Sequence, residues 1–128
     1  QPQEDLIEDI TYLPYMTWRE WIDECSKYKV GIHMMRTHAA GTFSMNLSYH
    51  STPCLGYRGL DTQDLLHPQT TVEVGDIKGA STILKRLYED DSFYQECSEQ
   101  TKELFNKYYT EEAWLEDFKK INEEFKEL

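Results

Sequence analysis

The chain has 128 residues, of which 39% are hydrophobic and 13% aromatic, enough apolar material for one domain with a continuous core. Its formal net charge of −11 disfavours a nucleic-acid-binding surface and broad contact with anionic membranes, because both need a basic face. No apolar run approaches the roughly 20 residues of a membrane-spanning helix, and no signal peptide is visible.

The N-terminal half alternates predicted strands and helices. Residues 10–15 are β-branched and aromatic, which predicts a first strand. Thr17 and Glu20 have the spacing of a capping box, so a helix is predicted to begin there. The apolar run 29–35 is typical of a buried parallel strand, and a helix from Gly41 or Thr42 to about residue 50 is predicted after it.

The C-terminal half is predicted to be mainly helical. Residues 53–57 and 70–74 are the third and fourth predicted strands. A helix over 77–88 is predicted to be capped by Asp76, and two more helices are predicted from Asp91 or Ser92 and from Thr110. The alternation predicts a single α/β domain over residues 1–128, with a parallel sheet of about four strands, flanking helices and a helical C-terminus.

The three cysteines form no C-x-x-C pair, and their odd number argues against a disulfide framework. We therefore predict free, buried thiols in a reducing compartment, which makes a cytoplasmic protein the expectation. Because the chain begins with Gln1 and not with Met, we also expect it to be a piece of a longer polypeptide.

The segment between Glu24 and Asp61 contains no acidic residue, although the chain as a whole is strongly acidic. It does contain basic residues and histidines, namely Lys27, Lys29, His33, Arg36, His38, His50 and Arg58. Within this segment, the predicted helix start lies at the carboxyl end of a strand, where ligands of parallel α/β sheets bind.

A helix start offers unpaired N–H groups and partial positive charge, which suits phosphate. Gly41 would allow close approach of a ligand, Thr42 and Phe43 would present amides, and Arg36 could add a bidentate contact. The alternative is an ordinary tight connection in which Thr42 simply caps the helix. His38 has the corresponding two interpretations, ligand contact or packing.

Other kinds of site find little support in the sequence. The histidines lack metal-ligand spacing, so no metal site is predicted. No G-x-S-x-G elbow supports a Ser/His/Asp triad. His67, in the predicted loop after the third strand, could reach the same rim as Gly41.

The order of these features resembles the C-terminal, donor-binding domain of group 1 nucleotide-sugar glycosyltransferases of the GT-B architecture. It comprises a strand, a Gly-containing turn, a helix, "STP", a strand, a loop with "HP", a strand and an Asp followed by three helices. The resemblance runs from about residue 10 to the end. It implies a Rossmann-like domain that binds a nucleotide diphosphate sugar and transfers a hexosyl group without a metal or other cofactor.

The resemblance also implies roles for single residues. With Pro53 placed on the family's proline, His38 and Asn46 fall on the positions of two glutamates, and Gly41 on the turn glycine. His38 would then be the catalytic residue facing the donor sugar or diphosphate, and Asn46 would bind the ribose hydroxyls. Arg36 and the amides of Gly41, Thr42 and Phe43 would bind the diphosphate.

Two strands of that family's domain have no counterpart here, so the predicted strand 10–15 lacks its usual neighbour. It is expected to pair beside 29–35, or with another chain or a missing segment. We expect a fragment that needs an N-terminal acceptor domain for activity, or a homo-oligomer formed through an exposed sheet edge. The alternative is an inactive nucleotide-binding or protein-interaction module. A response-regulator-like domain ranks last because it needs acidic residues at the strand ends.

Overall fold

The computed structural model describes residues 9–36 and 41–128 and shows a mixed α/β fold. Thr17, Asp76, Asp90 and Thr110 each cap a helix through the side chain. The elements in chain order are α1 Trp18–Cys25, β1 Gly31–His33, α2 Phe43–Tyr49, β2 Cys54–Tyr57, α3 Asp61–Leu66, a 3₁₀ turn Pro68–Thr70, β3 Thr71–Val72, α4 Ile77–Glu89, α5 Asp91–Tyr108 and α6 Glu111–Lys126.

The sheet has three parallel strands in the order β1-β2-β3. Ile32 lies opposite Leu55 in the first pair, and Tyr57 lies opposite Val72 in the second. Because consecutive strands are parallel, each connection crosses over, and α2 and α3 lie in the two crossovers. The middle strand, β2, is buried along its whole length.

The prediction of about four strands is wrong, because residues 10–15 form no strand. Ile10 and Leu13 instead line an apolar groove with Trp21 and Val30. The segment therefore lies against α1 and β1 without a ladder, and each of its residues 10–15 remains exposed. Pro14, which has no N–H to donate, is also poorly suited to a paired strand.

The structure contains one helix that the sequence pattern did not predict. Residues 61–66, expected to be loop, form α3. Its buried face includes Thr62 and Gln63 as well as Leu66. An apolar periodicity is therefore missing from this stretch, and periodicity is the main sequence signal for a helix.

The three cysteines are free and buried, as predicted. Cys25 and Cys54 pack with Leu47, and Cys97 packs with Leu87 and Phe93. Burial raises the pKa of the Cys54 thiol to about 12 and that of Cys97 to about 11. These thiols therefore pack as small apolar groups.

A buried polar network joins α2, α3 and α5. His67 is 3% exposed and not at the rim. Its Nδ1 accepts from the Cys54 N–H at 3.1 Å, so Nε2 carries the proton and lies 2.9 Å from the Ser44 carbonyl oxygen. Ser48 Oγ lies 2.9 Å from Nε2 and 2.7 Å from Thr101 Oγ1.

Gln63 completes this network, which we call the interior network: Ser44, Ser48, Gln63, His67 and Thr101. The amide of Gln63 donates to the Cys54 carbonyl at 2.8 Å and accepts from Ser44 Oγ at 3.0 Å. Burial lowers the pKa of His67 to about 4, so the ring is neutral. Although Ser48 and His67 are hydrogen-bonded, their burial makes the pair structural and not nucleophilic.

Candidate anion-binding site at the carboxyl edge of the sheet

The carboxyl ends of the three strands bring separate segments of the chain to one edge. Arg36 follows β1, Arg58 follows β2, and the loop from Glu73 to Gly75 follows β3. The parallel arrangement places these ends together, and α2 and α3 begin after the first two of them.

Arg36 is the most available positive charge at this edge. Its guanidinium carbon lies 5.7 Å from the centre of the Tyr57 ring. A Cβ placed on Gly75 would be 3.8 Å from Arg36 Nη2, so the side chain extends from β1 towards the loop after β3. The side chain forms no ion pair with any carboxylate in 9–36 or 41–128. Arg58, in contrast, donates through Nε to Glu73 Oε1 at 2.7 Å.

The start of α2 lacks a side-chain cap. Thr42 has φ −98° and ψ −23°, inside the helical region, and its hydroxyl forms no capping hydrogen bond. The Asn46 N–H donates to the Thr42 carbonyl at 2.8 Å. The first turn of α2 also contains no acidic residue. Its leading amides therefore keep their partial positive charge with no carboxylate in the same turn of the helix.

Gly41 lies close to α3 immediately before this helix start. A Cβ at Gly41 would lie 3.3 Å from Leu60 Cδ2 and 3.6 Å from Thr62 Oγ1. A larger residue would require the Leu60 side chain to move by a few tenths of an ångström. The glycine keeps the backbone near residue 41 close to the second crossover.

The side chain of Phe43 packs against other aromatic rings and is not part of the candidate site. Its ring centre lies 5.9 Å from that of Trp21 and 5.1 Å from that of His33. Only the Phe43 backbone amide is therefore available for the predicted role in diphosphate binding.

Asn46 is buried and already has internal partners. Its side-chain nitrogen lies 3.3 Å from the Thr42 carbonyl oxygen, and its side-chain oxygen accepts from Trp21 Nε1 at 3.2 Å. A contact with ribose hydroxyls would have to replace these bonds, and that role stays a prediction. His38, the predicted catalytic residue, lies outside the described residues, and its role also stays a prediction.

Two residues of this edge had no sequence signal. Tyr57 lies in a predicted strand, and the sequence gives no indication that its ring lies beneath the Arg36 guanidinium. Thr62 lies in a predicted loop, yet its buried hydroxyl lies beside Gly41 and has no hydrogen-bond partner among the described residues. Both depend on contacts between segments that are distant in sequence.

Two further findings concern metal binding and membrane insertion. Residues 9–36 and 41–128 contain no group of three or more His, Cys, Asp or Glu side chains that could hold a metal ion. Within the same ranges, every helix is too short or too polar to cross a bilayer.

Comparisons with protein-family models, curated proteins and solved structures find no match to this chain. The resemblance to glycosyltransferases therefore stays a prediction.

Proposed function

We propose that this chain is the donor-binding part of a glycosyltransferase that moves a sugar, of hexosyl type, from a nucleotide diphosphate sugar to an acceptor. The observation that carries the proposal is the uncapped, acid-free start of α2, on the same edge as the unpaired Arg36. The free, buried thiols support a reducing, cytoplasmic setting for the reaction.

The polar groups at this edge favour an anion with many acceptor oxygens. The α2 amides and the Arg36 guanidinium are donors, and neither has a carboxylate partner in the described chain. A diphosphate supplies several oxygens and negative charge at once.

The same groups would assist transfer by stabilising the leaving group. When the bond between the sugar and the diphosphate breaks, negative charge grows on the diphosphate oxygens. In the proposed complex the α2 amides and the Arg36 guanidinium would face that charge and would stabilise the transition state more than the ground state. His38, by resemblance, would lie at the sugar end of the ligand.

The architecture that this chain resembles binds the acceptor on a separate, N-terminal domain. The proposal therefore assigns donor binding to this chain and acceptor binding to another domain or to a second copy. β1 is an outer strand of the three-stranded sheet in residues 9–36 and 41–128, and its Ile32 is 52% exposed, so apolar surface is available to such a partner.

A second candidate is a nucleotide-binding or protein-interaction module without transferase activity. Two observations favour it. The Asn46 amide is occupied by Trp21 and Thr42 instead of facing the edge. The helix α6 buries none of its residues and exposes an aromatic and aliphatic stripe that suits a protein contact, Trp114, Phe118, Ile121 and Phe125.

Titration with uridine diphosphate and guanosine diphosphate, followed by calorimetry and amide NMR, tests the proposal. We expect binding that perturbs the amides of Gly41, Thr42 and Phe43. Arg36→Ala should weaken it about tenfold, because it removes a charge-assisted contact. Arg58→Ala is the matched control, since Glu73 already neutralises that arginine.

Failure of both diphosphates to bind at millimolar concentration would contradict the proposal. Equal losses in the Arg36 and Arg58 variants would show a general charge effect instead of a site. If binding is found, an assay for sugar-nucleotide hydrolysis and transfer, performed on the chain together with its acceptor-binding partner, separates the enzyme from the inactive module.

A further inference from the structure

The last helix, α6, presents an apolar face that no other element in residues 9–36 and 41–128 covers. Every side chain from Trp114 to the end of the helix is exposed. The large apolar residues recur at steps of four, three and four, which places them on one face of the helix. We call this face the α6 stripe, and its members are Trp114, Phe118, Ile121 and Phe125.

The stripe is an ordered surface of the helix. The rings of Trp114 and Phe118 stack, with their centres 5.4 Å apart and their planes inclined by 19°. The exposed fraction is 54% for Phe118 and rises to 72% for Phe125. A helix of this length gains most of its stability by packing its apolar face against another surface. A contiguous exposed stripe therefore indicates an interaction surface, and its spacing is that of side chains that anchor one helix on another.

The charged residues beside the stripe are all acidic. A residue three or four positions from a stripe residue lies on the same face, and the charged ones among these are Glu111, Asp117 and Glu124. We call these three residues the acidic rim. None of them forms an ion pair within the described part of the chain. The lysines of α6 lie at other spacings from the stripe and therefore farther around the helix: Lys119, Lys120 and Lys126.

The acidic rim distinguishes between possible partners of the stripe. A second copy of the chain would bring one acidic rim against another, and each copy has a net charge of −11. An anionic membrane is disfavoured for the same reason, because helices that lie on such a surface have Lys and Arg beside the apolar face. A helix that has Lys or Arg beside its own apolar residues would supply the cations that the rim lacks.

We propose that the α6 stripe binds a basic amphipathic helix of a partner protein. Apolar residues of the partner pack on the stripe, and its Lys or Arg residues pair with the acidic rim. At about 1.5 Å per residue the stripe is roughly 17 Å long, which matches about two heptads of a partner helix. This inference specifies the partner of the protein contact named with the second candidate function, and it does not depend on diphosphate binding.

Two synthetic peptides of about two heptads test the inference. Both have Leu at the a and d positions, and one has Lys while the other has Glu at the e and g positions. Calorimetry with the whole chain should show that the Lys peptide binds at least about tenfold more tightly than the Glu peptide. Phe118→Ala should weaken binding of the Lys peptide about tenfold and leave Tm unchanged, because the Phe118 side chain is exposed.

Tyr88→Ala is the matched control, because Tyr88 is a more exposed aromatic residue on α4 and lies outside the stripe. It should leave affinity for the Lys peptide unchanged. Asp117→Lys combined with Glu124→Lys should reverse the preference, so that the Glu peptide binds more tightly. Equal affinity for the two peptides in the wild type would overturn the inference, and so would an unchanged affinity in Phe118→Ala.

Sedimentation of the chain alone and with phosphatidylserine vesicles tests the other two partners. A dimer, or vesicle binding, that Phe118→Ala abolishes would overturn the inference by assigning the stripe to a second copy or to a membrane. A monomer that does not bind vesicles is the expected result. Failure to bind uridine or guanosine diphosphate, together with selective binding of the Lys peptide, would contradict donor binding and leave this inference in place.

Discussion

Two groups of polar residues on the same elements differ in how completely they are hydrogen-bonded. On the inner side of α2 and α3, Ser44 and Gln63 are bonded within the interior network. On the side towards the carboxyl edge, Thr42 makes no cap, and the Thr62 hydroxyl has no partner within residues 9–36 and 41–128. The first group stabilises the fold through its hydrogen bonds, whereas the second adds none.

The helix starts sharpen this comparison, because three of them have threonine as the N-cap. Thr17 and Thr110 have ψ values of 163° and 159°, and their hydroxyls accept from Glu20 N at 3.3 Å and Ala113 N at 3.1 Å. Thr42 has ψ −23° and makes no such bond. The residue type is the same, but the backbone conformation directs only two of the three hydroxyls to the amides.

The largest expected effect lies in the interior network and is a loss of stability in acid. The neutral His67 has a pKa of about 4 in the folded chain against an ordinary value of 6.5. As the pH falls from 6.5 to 4, the unfolded chain binds a proton that the folded chain excludes. The free energy of unfolding should therefore fall by about 3 kcal/mol over this window.

Urea denaturation at several pH values measures this loss. His67→Gln, which cannot titrate, is the control and should have a shallower pH dependence between 6.5 and 4. An identical slope in the two proteins would show that another group causes the acid sensitivity. Diphosphate affinity of the folded His67→Gln chain should remain close to that of the wild type, because His67 lies away from the edge.

A carboxylate at the edge should abolish binding without harming the fold. Thr42→Asp places negative charge at the start of α2, where it repels a diphosphate and interacts favourably with the helix amides. We expect uridine diphosphate affinity to fall on the order of 100-fold, with an unchanged or higher Tm. Calorimetry and thermal unfolding measure the two effects.

Thr110→Asp is the matched control for this substitution, because it adds the same charge at a helix start that already has a cap. It should leave diphosphate affinity almost unchanged. A comparable loss of affinity in both variants would mean that net charge, and not the start of α2, controls binding.

The smallest expected effect concerns the caps themselves. Thr17→Ala removes a hydroxyl that accepts from Glu20 N and should lower the free energy of unfolding by about 1 kcal/mol. Thr42→Ala should change it very little, since that hydroxyl forms no cap. Urea denaturation of the two variants is the measurement, and equal losses would show that Thr42 caps α2 in solution.

Much of the element order could be predicted from local patterns. The helices predicted after Thr17, Asp76 and Thr110 follow from capping residues and apolar periodicity, and the structure confirms them. The helix predicted from Asp91 or Ser92 begins at Asp91, with Asp90 as its cap. α3 could not be predicted in this way, because its buried face includes Thr62 and Gln63. The Gln63 amide is hydrogen-bonded to partners in α2, β2 and β3, whereas the Thr62 hydroxyl has no partner within the described residues.

The candidate site was only partly accessible from the sequence. The acid-free segment and the helix start near Gly41 were visible, because charge and glycine positions can be counted along the chain. The orientation of Asn46 towards Trp21 and the proximity of Thr62 to Gly41 were not. Both depend on how α1 and α3 pack against α2.

Local patterns along the chain were enough to predict the alternation of strands and helices, the free thiols and the acid-free segment between Glu24 and Asp61. These are properties of composition and of short-range periodicity. The three strands of the sheet in the described residues, and the hydrogen bonding of the buried polar groups, follow from how distant segments pack. A buried polar group is hydrogen-bonded only when a donor or acceptor from a distant segment packs beside it. The local sequence pattern does not predict such contacts.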